Sequence, residues 1–208
     1  MIAGYHLIWT AYGWWLPNDP RGSNSHSIRN PAIAELGDLH PGRKKLQPAG
    51  WVIKEFYASA KASLKHDLLT FSEREIAVLG ESFGEVMRRR MYTCYAAAIM
   101  PDHVHLLIRK HRDSAETMIA ELQEASRVAI LEAGDRPASH PVWGGAGWKV
   151  FLETIDDMRR VVRYIDENPV KIGRPRQAWD FVTVYDGWLP GQAARRPAKP
   201  QARGRAGR

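Results

Sequence analysis

The alternation of apolar and polar residues along this chain predicts both strands and helices. Only Pro101 and Asp102 separate two apolar runs near the middle of the chain, so we expect those runs to form a β-hairpin. Five short apolar runs in all, each bounded by turn residues, predict strands: Gly4 to Tyr12, Tyr92 to Met100, His103 to Arg109, Trp148 to Leu152 and Phe181 to Tyr185.

Apolar residues at helical spacing predict four helices: Val52 to Leu69, Ser72 to Arg90, Ser114 to Glu132 and Thr154 to Asn168. Ser72 and Glu75 form a capping-box pattern at the start of the second helix. We expect Pro169 to stop the fourth helix, because proline disfavours helical backbone at the residue before it. Gly13 to Gly50 contains five prolines and five glycines, so we predict an irregular insertion there.

Strands and helices mixed around a central hairpin indicate an α+β fold, with helices packed on a mostly antiparallel sheet. The order of the elements fits a ferredoxin-like sandwich. We expect a single domain over residues 1–190, including the irregular insertion at about residues 13–50. Residues 191–208 carry six lysines and arginines and no acidic residue. They predict a basic, disordered tail that either grips phosphates loosely or has no selected role.

The charge balance narrows the class of partner. The net charge is +7 and the pI is about 9.7, and basic proteins often bind nucleic acid through phosphate contacts. The sequence lacks both a run of about 18 apolar residues, which a transmembrane helix needs, and the pattern of a signal peptide. We therefore expect no membrane partner and a cytoplasmic protein. The single cysteine, Cys94, fits a reducing compartment because it cannot form an internal disulfide.

Candidate chemistry begins with His103 and His105 in the predicted hairpin. Side chains two residues apart in a strand point to the same face, so the two imidazoles project together while Val104 and Leu106 face the other way. A pair of imidazoles on a rigid strand can bind one metal ion. The alternative is that both histidines are buried, satisfied residues with a purely structural role.

Tyr164 and Asn168 lie four residues apart on the last predicted helix, so they share one side of it. If that side faces the histidines, the two imidazoles and the Asn168 carbonyl oxygen could bind Mg²⁺ or Mn²⁺ and leave positions for a phosphate oxygen. Tyr164 would then be a nucleophile. A phenol has a pKa of about 10, so attack needs a proton acceptor or a positive local field.

Cations and aromatic residues add candidate contacts with DNA. Trp14 to Gly22 mixes aromatic residues with an arginine, so this stretch either stacks on unpaired bases or fixes a loop against the core. Three of the candidate cations end a predicted helix, and that position alone explains them. The candidates for phosphate contacts are Arg88, Arg89, Arg90, Arg159, Arg160, Arg163 and Lys171.

Two motifs in this order carry a family resemblance. Met100 to Leu107, followed about sixty residues later by Tyr164 to Val170, resembles the HUH single-tyrosine transposases. The likeness is greatest to the insertion-sequence-200-like group that includes the REP-associated tyrosine transposases. His140 to Gly144 and Tyr5 to Thr10 also look like segments of this family, so the resemblance spans roughly Tyr5 to Tyr185.

The resemblance implies an HUH endonuclease core with His103 and His105 as metal ligands, Tyr164 as the nucleophile and Asn168 at the position of a further polar ligand. Such enzymes bind single-stranded DNA, usually recognise a hairpin, and form a 5′-phosphotyrosine with a free 3′-hydroxyl. Some relatives act as homodimers that exchange the tyrosine helix and others as monomers, and the sequence leaves both open. The insertion at residues 13–50 is longer than the pattern, so we transfer no base-reading residues.

Two other functions use the same residues differently. A replication-initiator-like nickase would cut with the same tyrosine, although 208 residues leave no space for the extra domains such proteins often carry. A DNA-hairpin-binding or regulatory protein descended from a transposase would bind without cleaving. The intact His103, His105 and Tyr164 argue against this second alternative, because binding alone requires none of the three.

Overall fold

The structure is a computed structural model that describes residues 1–191, apart from residues 24, 29, 43, 45, 135 and 138. The predicted tail at residues 191–208 therefore lies outside the described residues, except for its first residue. In chain order the elements are β1 (Gly4–Thr10), α1 (Pro31–Ala34), α2 (Gly50–Lys61), α3 (Glu73–Arg90), β2 (Cys94–Ile99), β3 (His103–Arg109), α4 (Ala115–Glu132), β4 (Trp148–Leu152) and α5 (Ile155–Lys171).

The strands form one antiparallel sheet in the order β2-β3-β1-β4. Helical connections lead from β1 to β2 and from β3 to β4, while a tight hairpin joins β2 to β3. This is the β-α-β-β-α-β arrangement of the ferredoxin-like fold, so the predicted fold class is confirmed. The register places Ile8 of β1 opposite His105 of β3 on one side and Trp148 of β4 on the other.

Alternation along β1 divides the sheet into two faces. Tyr5, Leu7 and Trp9 are buried in the core that the sheet forms with α3 and α4. Trp9 packs edge-on against Phe83 of α3, with 5.7 Å between the ring centroids. Because successive side chains of a strand point to opposite faces, the intervening residues of β1 belong to the second face.

The second face is covered in part by α5, which lies mainly over β2 and β3. The buried residues Met158, Val161 and Ile165 recur at helical spacing and pack with Leu107 and Leu152 of the sheet. The end of β1 at Thr10 and the end of β4 at Trp148 lie outside this group of packed residues. Among the described residues, no helix is long and apolar enough to cross a membrane.

The first long helix ends at Lys61 instead of continuing to Leu69 as predicted. Beyond the helix, the backbone amide of Leu69 donates to the Tyr12 carbonyl at 3.1 Å, and that of Phe71 donates to the Pro101 carbonyl at 2.7 Å. Leu69 and Phe71 are both buried in the core. Tertiary hydrogen bonds and burial therefore override the helical spacing of this segment.

The prediction that Pro169 stops the last helix is also wrong, because α5 runs to Lys171 with Pro169 inside it. A proline removes one intrahelical amide donor, and in the last turn this loss is limited. The Pro169 carbonyl still accepts hydrogen bonds from the amides of Ile172 and Arg174, at 3.1 and 3.0 Å. These hydrogen bonds cap the end of the helix, which therefore closes after Pro169 and not before it.

The predicted strand from Phe181 to Tyr185 is not formed. The segment makes one isolated bridge, between Val182 and Cys94. Phe181 and Val182 pack against the core formed with α3, whereas Tyr185 packs against the residues under α5 and Val184 is exposed. Phe181 lies beside Gly84 of α3, where the helix surface offers space for a ring. The apolar pattern at Phe181 and Val182 therefore reflects burial in the core and not the formation of a fifth strand.

The insertion at residues 13–50 is irregular as predicted, apart from the short helix α1. The carboxylate of Asp19 is fully buried and accepts hydrogen bonds from Arg21 Nη2 at 2.7 Å and from the Tyr57 hydroxyl at 2.5 Å. The indole N–H of Trp14 donates to the Leu69 carbonyl at 2.8 Å. Trp14 therefore fixes this loop to the core, which is the structural alternative stated for the segment.

Candidate active site

The second face of the sheet carries His103 and His105 on β3. Their rings lie next to each other, with 4.9 Å between centroids and a right angle between planes. His105 is buried, whereas His103 is partly exposed at the start of the strand. The pair is therefore accessible to solvent on the His103 side, where the cover provided by α5 ends.

Each histidine of the pair has a hydrogen-bond partner at Nδ1. His103 Nδ1 lies 2.6 Å from Asp102 Oδ1, and His105 Nδ1 lies 3.0 Å from His6 Nε2. Burial raises the pKa of Asp102, but the hydrogen bond and the charge of His103 outweigh it, and the pKa lies below its ordinary value. Partners of this kind fix the tautomer in which Nε2 is the nitrogen that can hold a metal.

His6 is a residue that the sequence reasoning missed. It is buried at 6% exposure, and burial lowers its pKa from 6.5 to about 4, so its ring is neutral at pH 7. A neutral ring can accept the proton of His105 Nδ1. The available signal was a lone histidine on β1 at a position that alternates with the core residues Tyr5 and Leu7, and therefore shares the second face.

Tyr164 reaches this group from α5. Its ring lies 5.4 Å from that of His105 and 5.9 Å from that of His6, edge-on in both cases. The buried stripe of α5, which includes Ile165, fixes this orientation. Lys171, one of the predicted cations, places its ammonium 4.3 Å from the centre of the Tyr164 ring. We call His6, His103, His105 and Tyr164 the histidine–tyrosine cluster.

Asn168 lies one helical turn after Tyr164 and is 8% exposed. Its Nδ2 donates to the Tyr164 backbone carbonyl at 2.9 Å. This hydrogen bond orients the side chain and leaves Oδ1 as the atom of the amide that could act as a ligand. Asn168 lies on the same side of α5 as Tyr164, as its spacing predicted, and its role as a metal ligand stays a prediction.

The donors present fit a metal site that is incomplete without substrate or water. In the described part of the chain, no group of three or more His, Cys, Asp or Glu side chains is arranged to hold a metal ion. The Nε2 atom of His6 is occupied by its contact with His105 Nδ1. Two imidazoles and one amide oxygen leave coordination positions open, as catalytic metal sites do.

The predicted phosphate-binding cations fall into two groups. Arg159, Arg160 and Arg163 are exposed on α5, the helix that carries Tyr164, and Arg160 also pairs with Asp157 at 2.5 Å. The arginines that end α3 lie in the helical layer on the opposite face of the sheet. The structure therefore does not bring Arg88, Arg89 and Arg90 together with the histidine–tyrosine cluster, and the last two pair with Glu121 of α4.

A ferredoxin-like sheet with a His-x-His pair on an inner strand and a tyrosine helix on the same face defines the class of the protein: it has the HUH fold. The family follows from a direct match. The family model described as "Transposase IS200 like" matches residues 64–168, about half of the chain, and this range includes His103, His105, Tyr164 and Asn168. The chain belongs to this family of transposases, which are DNA-processing enzymes, and the resemblance carried by its motifs is confirmed.

Comparison with solved structures finds a REP-associated tyrosine transposase bound to a REP hairpin. It is 14% identical, the match covers 83% of this chain and 70% of that chain, and the TM-score is 0.43. Comparison with curated proteins finds no match.

Proposed function

We propose that the chain is a metal-dependent transposase that cleaves and rejoins single-stranded DNA through Tyr164. The observation that carries the proposal is the contact between the Tyr164 ring and His105 within one chain, at 5.4 Å between centroids. A nucleophile and a pair of imidazoles that can hold a metal ion, on one face, are able to support phosphoryl transfer from DNA. Both groups come from the same chain in this structure, which supports a site formed within one chain.

In the proposed step, the phenolic oxygen of Tyr164 attacks the scissile phosphorus. The Tyr164 O–P bond forms, the P–O3′ bond breaks, and the 3′-oxygen takes up a proton in place of the one that the phenol loses. The products are a 5′-phosphotyrosine and a free 3′-hydroxyl, and rejoining is the reverse reaction. The ammonium of Lys171 lies 4.3 Å from the ring centre, and this cation–π contact helps to hold the Tyr164 ring in place.

His103, His105 and Asn168 would hold the metal, Mg²⁺ or Mn²⁺. When bound, such an ion supplies Lewis-acid stabilisation of the negative charge on the phosphate oxygens. Asp102 and His6 hold the two imidazoles in the required tautomer through their Nδ1 atoms. Burial of His105 and Asn168 limits the access of bulk water to this side of the site.

The proposed substrate is single-stranded DNA with a hairpin. A net charge of +7 supports a polyanionic partner, and the exposed Arg159, Arg160 and Arg163 lie on the helix that presents Tyr164. The REP-associated transposase that is structurally similar is bound to a hairpin, and we extend that substrate class to this chain.

A covalent-adduct assay tests the proposal. The protein is incubated with Mn²⁺ and single-stranded hairpins taken from the DNA that flanks its gene, and the products are separated under denaturing conditions. A label at the 3′ end of the DNA should move with the protein, whereas a label at the 5′ end should leave on the fragment with the free 3′-hydroxyl. The matched control is Tyr164→Phe, which lacks only the nucleophilic oxygen and should form no adduct.

Two results would contradict the proposal: no adduct with any flanking hairpin, or an equal adduct with Tyr164→Phe. Adduct formation that is followed by nicking without joining of a second DNA end would instead favour the initiator-like nickase. Metal-independent binding of the hairpin without cleavage would favour the regulatory protein. The adduct assay, a joining assay with a second DNA end and a binding measurement therefore separate all three functions.

A further inference from the structure

A cavity of about 240 Å³ opens beside the histidine–tyrosine cluster, at the end of β1. Ile8, Thr10 and Trp148 contribute to its wall from the sheet, Trp15 contributes from the insertion, and residues 144–147 contribute a glycine-rich loop. It is smaller than the roughly 300–1,000 Å³ of pockets for drug-sized ligands, so it suits a single small ring system. None of its lining residues has a part in the proposed chemistry above.

The strand register relates this cavity to the catalytic residues. Ile8 pairs with His105 on one side and with Trp148 on the other, and Thr10 pairs with His103. Residues that face each other across antiparallel strands place their side chains on the same face of the sheet. His105, Ile8 and Trp148 therefore form one row, and its ends are about 10 Å apart because neighbouring strands are separated by about 4.8 Å.

The lining is aromatic on two sides, and on a third the only side chain is the methyl group of Ala146. Trp15 adopts a left-handed backbone conformation with φ of 60°, which is uncommon outside glycine. Its backbone amide donates to the Tyr57 hydroxyl at 2.5 Å and its indole N–H donates to the Gly22 carbonyl at 2.7 Å. The Arg21 guanidinium stacks on the same indole at 4.0 Å. These contacts hold the indole at the cavity, and they stabilise a backbone conformation of Trp15 that would otherwise be unfavourable.

The glycine-rich loop keeps the cavity open. A Cβ atom at Gly144 would lie 2.8 Å from Thr10 Oγ1, and one at Gly147 would lie 2.8 Å from the Ile8 carbonyl oxygen. Any side chain at these positions would displace a wall of the cavity. The Gly144 amide donates to the Thr10 carbonyl at 2.9 Å, and the Gly145 carbonyl accepts from Gln123 Nε2 at 2.7 Å. The rest of this exposed loop backbone can donate and accept hydrogen bonds in the plane of a bound ring.

We propose that this cavity, the base pocket, binds one unpaired nucleobase of the single-stranded segment next to the scissile phosphate. The base stacks on the indole of Trp148 or Trp15, and the loop backbone contacts its edge. This inference rests on the proposed function, because it is the position beside the histidine pair that brings a DNA strand to the pocket. Aromatic side chains next to cations are the usual surface on which proteins bind unpaired bases.

The test measures binding and not cleavage, so that it can fail separately from the proposed function. Hairpin DNAs with a single-stranded flank are made with an abasic sugar at each position in turn, and their Kd is measured by fluorescence anisotropy with the Tyr164→Phe protein. One position in the flank should lose about 5- to 150-fold in affinity when its base is removed, which is the effect of one stacked base.

The Trp148→Leu variant in the same background should lose a similar factor with intact DNA and should not respond to removal of that base. Ala146→Phe, on the exposed loop that lines the pocket, should have the same effect by filling it, without a change in the sheet. Trp51→Leu is the matched control, because Trp51 is 68% exposed on α2 and lies outside the pocket lining. Thermal unfolding checks that each variant is folded.

The proposal is overturned if no flank position is sensitive to base removal, or if Trp148→Leu and Ala146→Phe keep that sensitivity. Wild-type protein that forms the covalent adduct while these binding results are negative would refute the base pocket alone. Positive binding results without any adduct would refute the cleavage chemistry and leave a base-binding site.

Discussion

Replacing His6 by leucine should weaken the binding of Mn²⁺ to the histidine pair by about 10- to 100-fold. For His105 to offer Nε2 to a metal, Nδ1 must carry the proton, and its partner at 3.0 Å is His6 Nε2. Leucine removes that acceptor from a position that is only 6% exposed, so water cannot readily replace it. The cost of an unpaired buried donor, about 1–3 kcal/mol, corresponds to the same range of affinity.

The assay is a titration of the protein with Mn²⁺, followed by the electron paramagnetic resonance signal of the free ion. His6→Gln is the matched control, because its terminal oxygen can stand near the place of the imidazole Nε2 and accept the same proton. It should recover most of the affinity that His6→Leu loses. A structural role of His6 alone predicts no such difference between two folded variants.

The role of His6 as a proton acceptor would be refuted if His6→Leu, folded by circular dichroism, bound Mn²⁺ as tightly as the wild type. It would also be refuted if His6→Gln were as weak as His6→Leu, since the acceptor at Nε2 would then be irrelevant. A parallel titration of His103→Ala, which removes a proposed ligand, verifies that the measured ion binds at the pair.

Two further predictions concern stability. Because the His6 pKa falls from 6.5 to about 4 on folding, the unfolded chain takes up this proton first as the pH drops. Between pH 7 and pH 4, the free energy of unfolding should therefore decrease by about 3 kcal/mol more in wild type than in His6→Leu. Urea titrations at both pH values measure the difference, and equal pH dependence would contradict a buried neutral His6. Gly80→Ala should destabilise the protein by about 1–3 kcal/mol, because the new Cβ would overlap the Trp179 ring packed on α3. Chemical denaturation measures the free energy of unfolding of both proteins. A stabilised variant would show that the packing of Trp179 is not needed.

The sequence predicted the elements of the fold well where one local pattern decides them. The capping box at Ser72 and Glu75 begins α3 as expected, with the Ser72 amide donating to Glu75 Oε2 at 2.8 Å. The hairpin of β2 and β3 follows from two apolar runs and a two-residue turn. The rule that a helix ends before a proline failed at Pro169, because hydrogen bonds after the helix decide the outcome there.

The candidate site could be predicted only in part for a related reason. His103, His105, Tyr164 and Asn168 belong to motifs in which spacing within one element determines a shared face. His6 and the lining of the base pocket come together only through the register of β1 between β3 and β4. That register depends on two helical crossovers, and no local pattern in the sequence encodes it.

The position of α5 explains why chemistry concentrates at one end of the second face. The helix packs over β2 and β3 and reaches Leu152 at one end of β4, but the cluster it forms does not extend to Trp148 at the other end. Residues under the helix are buried and apolar, and residues beyond it face the cavity beside Ile8. The histidine–tyrosine cluster lies at the boundary. There the side chains are desolvated enough to be held in one orientation, and a DNA strand can still approach them from the open part of the sheet.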